Sequence, residues 1–265
     1  MKGRTMPSRD FYATSAPAPL DQADGLRRLF APSRTRFIPL AANPHVPHAG
    51  PLLDHVALTL VARGQRVLVV DAADGAPQPN EMTVLDVGAG IETLTPQLGY
   101  LAAKGLPLAF VDTRGSAGGL LDAIVQAAPK ADVVLLHANA SDLARMFMHR
   151  AARPVLVAAD HEESVKHAYA ACKLLAQRCS LMTFDLLLCA TRGSGRMPSI
   201  AASLAGCADG FLGAVLHDWA VLNPLNPPDE PDVALDRLLA AQLALGDERP
   251  HPGLPRQPAV HLGLN

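Results

Sequence analysis

FIPLAANPHVPHAGPLLDHVALTLVARGQRVLVVD, Phe37 to Asp71, decides the fold. It opens on an apolar run, Phe37–Ala41, and passes through the short loop NPHVPHAG, Asn43–Gly50. An apolar stretch of helical length follows, Leu52–Ala62, and then Val67–Asp71, a β-rich run ending in Asp. Strand, loop, helix and strand in this order are the setting of a phosphate-binding loop. Yet the loop has one Gly, two His, two Pro and no Lys. The frame of a nucleotide site is therefore filled with residues poorly suited to hold a nucleotide.

The same alternation runs outward along the chain. Apolar runs predict strands over Phe37–Ala41, Val67–Asp71, Glu81–Val87, Leu108–Val111, Asp132–Leu136, Pro154–Ala158, Phe184–Leu188 and Phe211–Leu216. Helical patterns fall on Leu52–Ala62, Thr95–Lys104, Gly119–Ala128, Ser141–Met148, Glu162–Gln177 and Met197–Cys207. Most of the strands are continuous apolar runs, as strands buried on both faces require. The expectation is an α/β fold with a mainly parallel, doubly wound sheet and helices on both faces.

Flanking segments differ in character. Residues 1–19 are polar with Ala-Pro repeats, the composition of a disordered tail. DQADGLRRLF, Asp21–Phe30, carries helix signals: Asp21 as N-cap, Asp24 in the first turn, Arg27 and Arg28 in the last. A linker follows, Ala31–Arg36, so residues 20–36 form one unit and 37–222 the α/β domain. Residues 223–265 are Pro-rich and hold one amphipathic helix, Asp232–Leu245, with Leu235, Leu238, Leu239 and Leu243 along one side.

Composition excludes several classes. A formal net charge of -2 argues against a broad nucleic-acid surface. No run reaches the ~18 apolar residues of a membrane span, and the N-terminal stretch has no apolar core of a secretory signal. Cys172, Cys179, Cys189 and Cys207 form no CxxC pair and no zinc spacing. They read as reduced thiols in a cytoplasmic protein.

Two stretches carry a family resemblance, and a third supports it through element order. DQADGLRRLF resembles the DQAxxLR signature that opens FlhG (FleN, YlxH), the flagellar-number regulator of the MinD/ParA-type deviant Walker ATPases. Asp21, Gln22, Ala23, Leu26 and Arg27 fall on its defined positions. RPVLVAADHEESVKHAYAACKLLA is similar to a strand and helix of that family, with Glu162, Ser164, Ala168, Tyr169 and Lys173-Leu174-Leu175 on matching positions. GQRVLVVDAADG is similar to the family's GRRVLLLDADLG.

The resemblance implies where an ATP site belongs, and this chain departs from it at six positions. The family loop GKGGVGKT falls on Asn43–Gly50, so its phosphate Lys becomes Ala49, its Mg²⁺-binding Thr becomes Gly50 and its cross-dimer Lys becomes Pro44. Pro44 and Pro47 also remove two N–H donors. The second Asp of DAD becomes Ala73, the Walker B Asp becomes His137, and the purine-reading Asn becomes Cys189. A competing alignment places the Walker B Asp at Asp112, in FVDTRGSAGG. The expectation is a pseudo-ATPase without ATP, Mg²⁺ or other cofactor, and without a metal.

By the same resemblance, the expected function is regulation of flagellar number and placement. The N-terminal helix would bind the signal-recognition-particle-type GTPase FlhF and stimulate it, with Gln22 at the partner's catalytic site and Asp21, Leu26 and Arg27 docking the helix. Other flagellar basal-body or regulatory proteins are further expected partners, and polar localisation would come through partners. No nucleic acid is expected as partner, because the net charge is near neutral, and membrane association is not expected, because the C-terminal helix lacks a basic face. Two alternatives stay open: an active, atypical MinD/ParA-type ATPase with a misaligned loop, and a MinD-like scaffold of another polar machine such as cellulose secretion.

Other constellations have plainer readings. His45, His48, Asp54 and His55 are metal-ligating types without a structural zinc spacing. His161-Glu162-Glu163 reads as a loop His before an acidic helix start rather than an acid–base pair. TRGSG, Thr191–Gly195, has no following Lys, and Ser194 and Ser199 lack the G-x-S-x-G setting of a nucleophile.

Overall fold

The computed structural model describes residues 35–190, 194–227 and 232–245. The expected helix Asp21–Phe30 lies outside them. β1 (Arg36–Ala41) leads through the loop into α1 (Ala49–Ala62) and β2 (Val67–Asp71). β3 (Ile91–Thr95) and β4 (Leu98–Ala102) form a hairpin. After the short α2 (Leu106–Ala109) come α3 (Gly118–Ala127), β5 (Val133–Ala138) and α4 (Ala140–Met146). β6 (Val155–Ala159), α5 (Glu162–Cys179), β7 (Thr183–Cys189), α6 (Met197–Leu212), β8 (Val215–Leu222) and α7 (Val233–Leu243) follow.

The strands make one eight-stranded sheet in the order β3-β4-β2-β5-β1-β6-β7-β8. Every pairing is parallel except β3 with β4. Parallel strands need covered faces, and alternate residues serve the two sides. Val67 and Val69 of β2, Val133 and Leu135 of β5, and Leu187 of β7 pack with Leu52, Leu53, Val56 and Leu60 of α1 and Leu235, Leu238 and Leu239 of α7. Leu68 and Val70, Val134 and Leu136, and Leu186 and Leu188 face the other way, toward α3, α4, α5 and α6. The expected doubly wound architecture is the observed one.

Four expected elements are corrected, and local chemistry explains each. Glu81–Val87 is not a strand but lies in two 3₁₀ turns, Glu81–Val84 and Val87–Gly90. Asn80 and Asp86 impose them by accepting from Met82 N at 3.0 Å and Gly88 N at 2.8 Å. The expected helix Thr95–Lys104 is instead the end of β3, a turn at Pro96-Gln97 and strand β4. Pro96 breaks helix, and Gly99 approaches the next strand so closely that a Cβ there would meet Leu68 Cδ1 at 3.2 Å. Leu108–Val111 is not a strand either, because α2 occupies Leu106–Ala109. Finally, α6 continues through Phe211 to Leu212 and stops at Gly213, φ +65°, so β8 begins at Val215.

Candidate functional site

In parallel α/β sheets ligands gather at the carboxyl ends of the strands. Here the β1–α1 loop crosses that edge. β1 is flanked by β5 and β6, so the loop lies between the end of β5, with His137, and the end of β6, with Asp160 and His161.

The loop is held down by its own first residue. Asn43 is buried, and its Nδ2 donates to Val157 O at 2.8 Å, Ser164 O at 2.9 Å and Ser164 Oγ at 3.1 Å. Its Oδ1 accepts from His45 N at 3.1 Å, and its carbonyl accepts from Val46 N at 3.0 Å. His161 Nε2 donates to the His45 carbonyl at 2.8 Å. A carbonyl only accepts, so the ring proton sits on Nε2, and Nδ1 is free to cap α5 by accepting from Ser164 N at 3.4 Å. The loop histidine of the sequence reading is thus also a helix cap. The His45 ring meets His161 and His167 edge-on at 6.1 and 5.8 Å. Burial and the neighbouring His45 hold the His167 imidazole below its ordinary pKa, partly offset by a hydrogen bond to the Ala42 carbonyl.

These bonds occupy the amides of His45 and Val46, and Pro44, Pro47 and Pro51 have none. His48 takes a left-handed conformation, φ 60°, before α1 and makes no side-chain cap. Val46 turns inward and is buried among the residues under α1. Ala49 is half-buried and Gly50 exposed, with open space where a Cβ would stand.

On the β5 side, His137 Nδ1 donates to Asp71 Oδ1 at 2.8 Å, and both side chains are largely buried. His137 lies on the same face of β5 as Val133 and Leu135, the face that α1 covers. Ala73 follows closely: its N–H donates to Asp71 Oδ1 at 3.3 Å and its side chain is buried. Asn139 caps α4 and reaches Asp142 Oδ2 at 3.1 Å and Asp74 Oδ1 at 3.3 Å.

On the other side lies a cleft of about 560 Å³, lined among others by Pro44, His45, Asp160, His161, Cys189 and Asn223. Ser194 Oγ donates to Asp160 Oδ2 at 2.5 Å, and Arg196 pairs with Asp160 Oδ1 at 3.1 Å. Burial pushes the Cys189 thiol up to about 12, so it is no nucleophile. Pro44 and Cys189 therefore share the cleft, whereas Ala73 and His137 sit together across β1, and Ala49 and Gly50 open α1.

Asp21, Gln22, Ala23, Leu26 and Arg27 lie outside the described residues. Asp112 does not end a strand. It organises a turn, accepting from Arg114 N and Ser116 N at 2.9 Å each, and these amides hold its carboxyl below the usual range. The possible metal ligands around His45 are also separated: His55 is buried in α1 with Nε2 bonded to Asn226 O at 2.9 Å. Among the described residues no three His, Cys, Asp or Glu gather to hold a metal. Sequence reasoning missed Asn43, Ser164 and His167 as a bracing network. The available signal was a polar residue directly after a buried strand.

The C-terminal helix packs on its own domain. Leu235, Leu238 and Leu239 are buried, and Gln242 Nε2 donates to Arg153 O at 2.9 Å and Asp185 Oδ2 at 2.7 Å. Arg63 pairs with Asp236 at 2.6 Å and Arg237 with Asp218 at 2.7 Å. Among the described residues no helix is long and apolar enough to cross a membrane.

No family model and no curated protein matches this chain. Solved structures do. MinD cell division protein of Aquifex aeolicus is 12% identical, over 78% of this chain and 98% of that one, with a TM-score of 0.52. A chain of the MinC:MinD cell division protein complex from the same organism is 12% identical, over 72% of this chain and 82% of that one, at 0.51. A putative plasmid partition protein of Borrelia burgdorferi B31, bound to AMPPNP, is 11% identical, over 64% and 81%, at 0.50. At such identities the likeness establishes architecture alone, and the architecture of this chain is the mainly parallel α/β fold of MinD-type P-loop proteins.

Proposed function

We propose that this chain is a MinD-type scaffold that has lost ATP hydrolysis and acts by contact with another protein. The observation that carries the reading is the β1–α1 loop. A triphosphate needs several converging N–H donors, a Lys and a metal-binding hydroxyl. Here the amides of His45 and Val46 are consumed within the loop, three prolines offer none, and Ala49 and Gly50 stand at the Lys and Thr positions. Val46 is turned into the core beneath, and Asp71 Oδ1 accepts from the His137 ring and the Ala73 amide. These residues do not fit a Mg²⁺–triphosphate.

The partner reading rests on the DQADGLRRLF resemblance. In it, Asp21–Phe30 binds an FlhF-type GTPase and stimulates it, with Gln22 as the main polar contact, in the control of flagellar number. A short helix can act in trans on another protein's nucleotide without a nucleotide of its own, as trans-acting residues do for other GTPases. One observation favours the rival, an atypical ATPase: Asp71, Asp74 and Asp142 lie close to His137 and Asn139 at the ends of β2 and β5.

Two measurements on the full-length chain separate these. Titration with ATP·Mg²⁺ is expected to give no binding tighter than about 1 mM, and sedimentation no ATP-driven dimer. Saturable binding or nucleotide-driven dimerisation would overturn the pseudo-ATPase reading. Stimulation of the cognate FlhF-type GTPase without ATP, lost in Gln22→Ala, supports the partner reading; an inert full-length chain removes it.

A further inference from the structure

From Val67 to Ala103 the chain has no Lys, Arg or His, but five acidic residues: Asp71, Asp74, Glu81, Asp86 and Glu92. The first two stand at the carboxyl edge of the sheet. The other three are exposed around β3, the edge strand beyond β4. Among the described residues nothing pairs with the outer side of β3, so its outward N–H and C=O groups are open to a further strand.

Apolar surface surrounds this edge. Leu94 on β3 is 55% exposed, and on the turns leading into β3 Met82 is 53%, Val84 48% and Leu85 83% exposed. These turns are braced from below. Thr83 and Val87 are buried between the exposed residues, and the caps of Asn80 and Asp86 fix both turns. A rigid apolar surface loses little conformational freedom on binding. Natural edges are commonly protected by Lys, Pro or a bulge; β3 carries neither Lys nor Pro, and its register shift between Thr93 and Thr95 leaves Leu94 outside the pairing with β4.

Charge selects the occupant. A second copy pairing through β3 would set Glu81, Asp86 and Glu92 against their own counterparts. A basic strand would meet them with opposite charge, while its alternate apolar side chains cover Leu94 and the turn residues. We propose that the β3 edge takes up an extended segment of a partner protein in which Lys or Arg alternates with apolar residues, adding one strand to the sheet. This surface is independent of the N-terminal helix and of the β1–α1 loop.

The test uses the full chain and a synthetic peptide of alternating Lys and Val, with a Glu/Val peptide as control. Expected are salt-sensitive binding of the Lys/Val peptide alone, slowed amide exchange confined to β3 and the adjoining turns, and about tenfold weaker binding to Glu81→Lys/Glu92→Lys. Both changes are at exposed positions, and circular dichroism verifies that the fold is kept. Absence of binding, protection elsewhere, or binding unaffected by the charge reversal overturns the proposal. So does self-association that protects β3, which would make a second copy the occupant.

Discussion

Two polar networks brace this sheet from opposite ends, and they use opposite chemistry. At the carboxyl edge, Asn43 ties the β1–α1 loop to Val157 and Ser164, and His161 ties it to the end of β6. Its members are amides, a hydroxyl and imidazoles. At the other end, Arg153 and Asp185 form an ion pair at 2.9 Å, both side chains buried, and Gln242 of α7 closes it. Burial lifts the Asp185 carboxyl above its ordinary range, and Arg153, Gln242 and His217 offset this only in part. A buried ion pair thus clamps the C-terminal helix, whereas the β1–α1 loop is tied down by amide, hydroxyl and imidazole groups, with the His137–Asp71 and Arg196–Asp160 pairs on either side of it.

The largest effect should come from unbalancing the charged network. Arg153→Met leaves Asp185 buried without its cation and should cost roughly 3–5 kcal/mol, read from the denaturation midpoint. Arg153→Met with Asp185→Leu removes both charges and should recover most of that loss. Equal losses for single and double variants would mean that packing, not charge balance, holds this end together.

The neutral network should respond less. Asn43→Ala leaves the Val157 and Ser164 carbonyls without their donor, and the expected cost is about 1–3 kcal/mol. Asn43→Asp should be worse, because a carboxylate cannot donate to a carbonyl. If Asn43→Ala cost more than Arg153→Met, the contrast between the two ends would be reversed.

What could be read from the sequence follows the same division. The strands buried on both faces, β1, β2, β5, β6 and β7, are nearly continuous apolar runs, and their positions were legible to within a residue or two. The β3–β4 region was not. Its strands lie at an edge, Ile91 to Thr95 is mostly exposed, and nothing forces an apolar pattern there. The preceding EMTVLDV looks strand-like, but Asn80 and Asp86 turn the backbone through short side-chain bonds that periodicity does not register. At the site, the lack of any Lys, Ser or Thr in Asn43–Gly50 was visible in the sequence. The bonds that brace the loop were not, because Asn43 and His45 lie more than a hundred residues before Ser164 and His161 in the chain.

The smallest effect is the pH response of the loop brace. His167 has a folded pKa below its ordinary value of 6.5, because burial and the nearby His45 disfavour its charge more than the Ala42 carbonyl favours it. A depressed folded pKa means that the unfolded chain takes up this proton more readily. The contribution of neutral His167 is therefore fully present above about pH 6.5 and is lost as pH falls through the folded pKa. Amide exchange in Asn43–Gly50 should accelerate from about pH 7 to about pH 5 beyond its intrinsic pH dependence. His167→Gln, which keeps a donor near the Ala42 carbonyl but cannot titrate, should flatten this response. Direct titration of the ring by NMR provides the check on sign: a His167 pKa above 6.5 would mean that its surroundings stabilise the charged ring, and the loss of stability with falling pH assigned to His167 would be wrong.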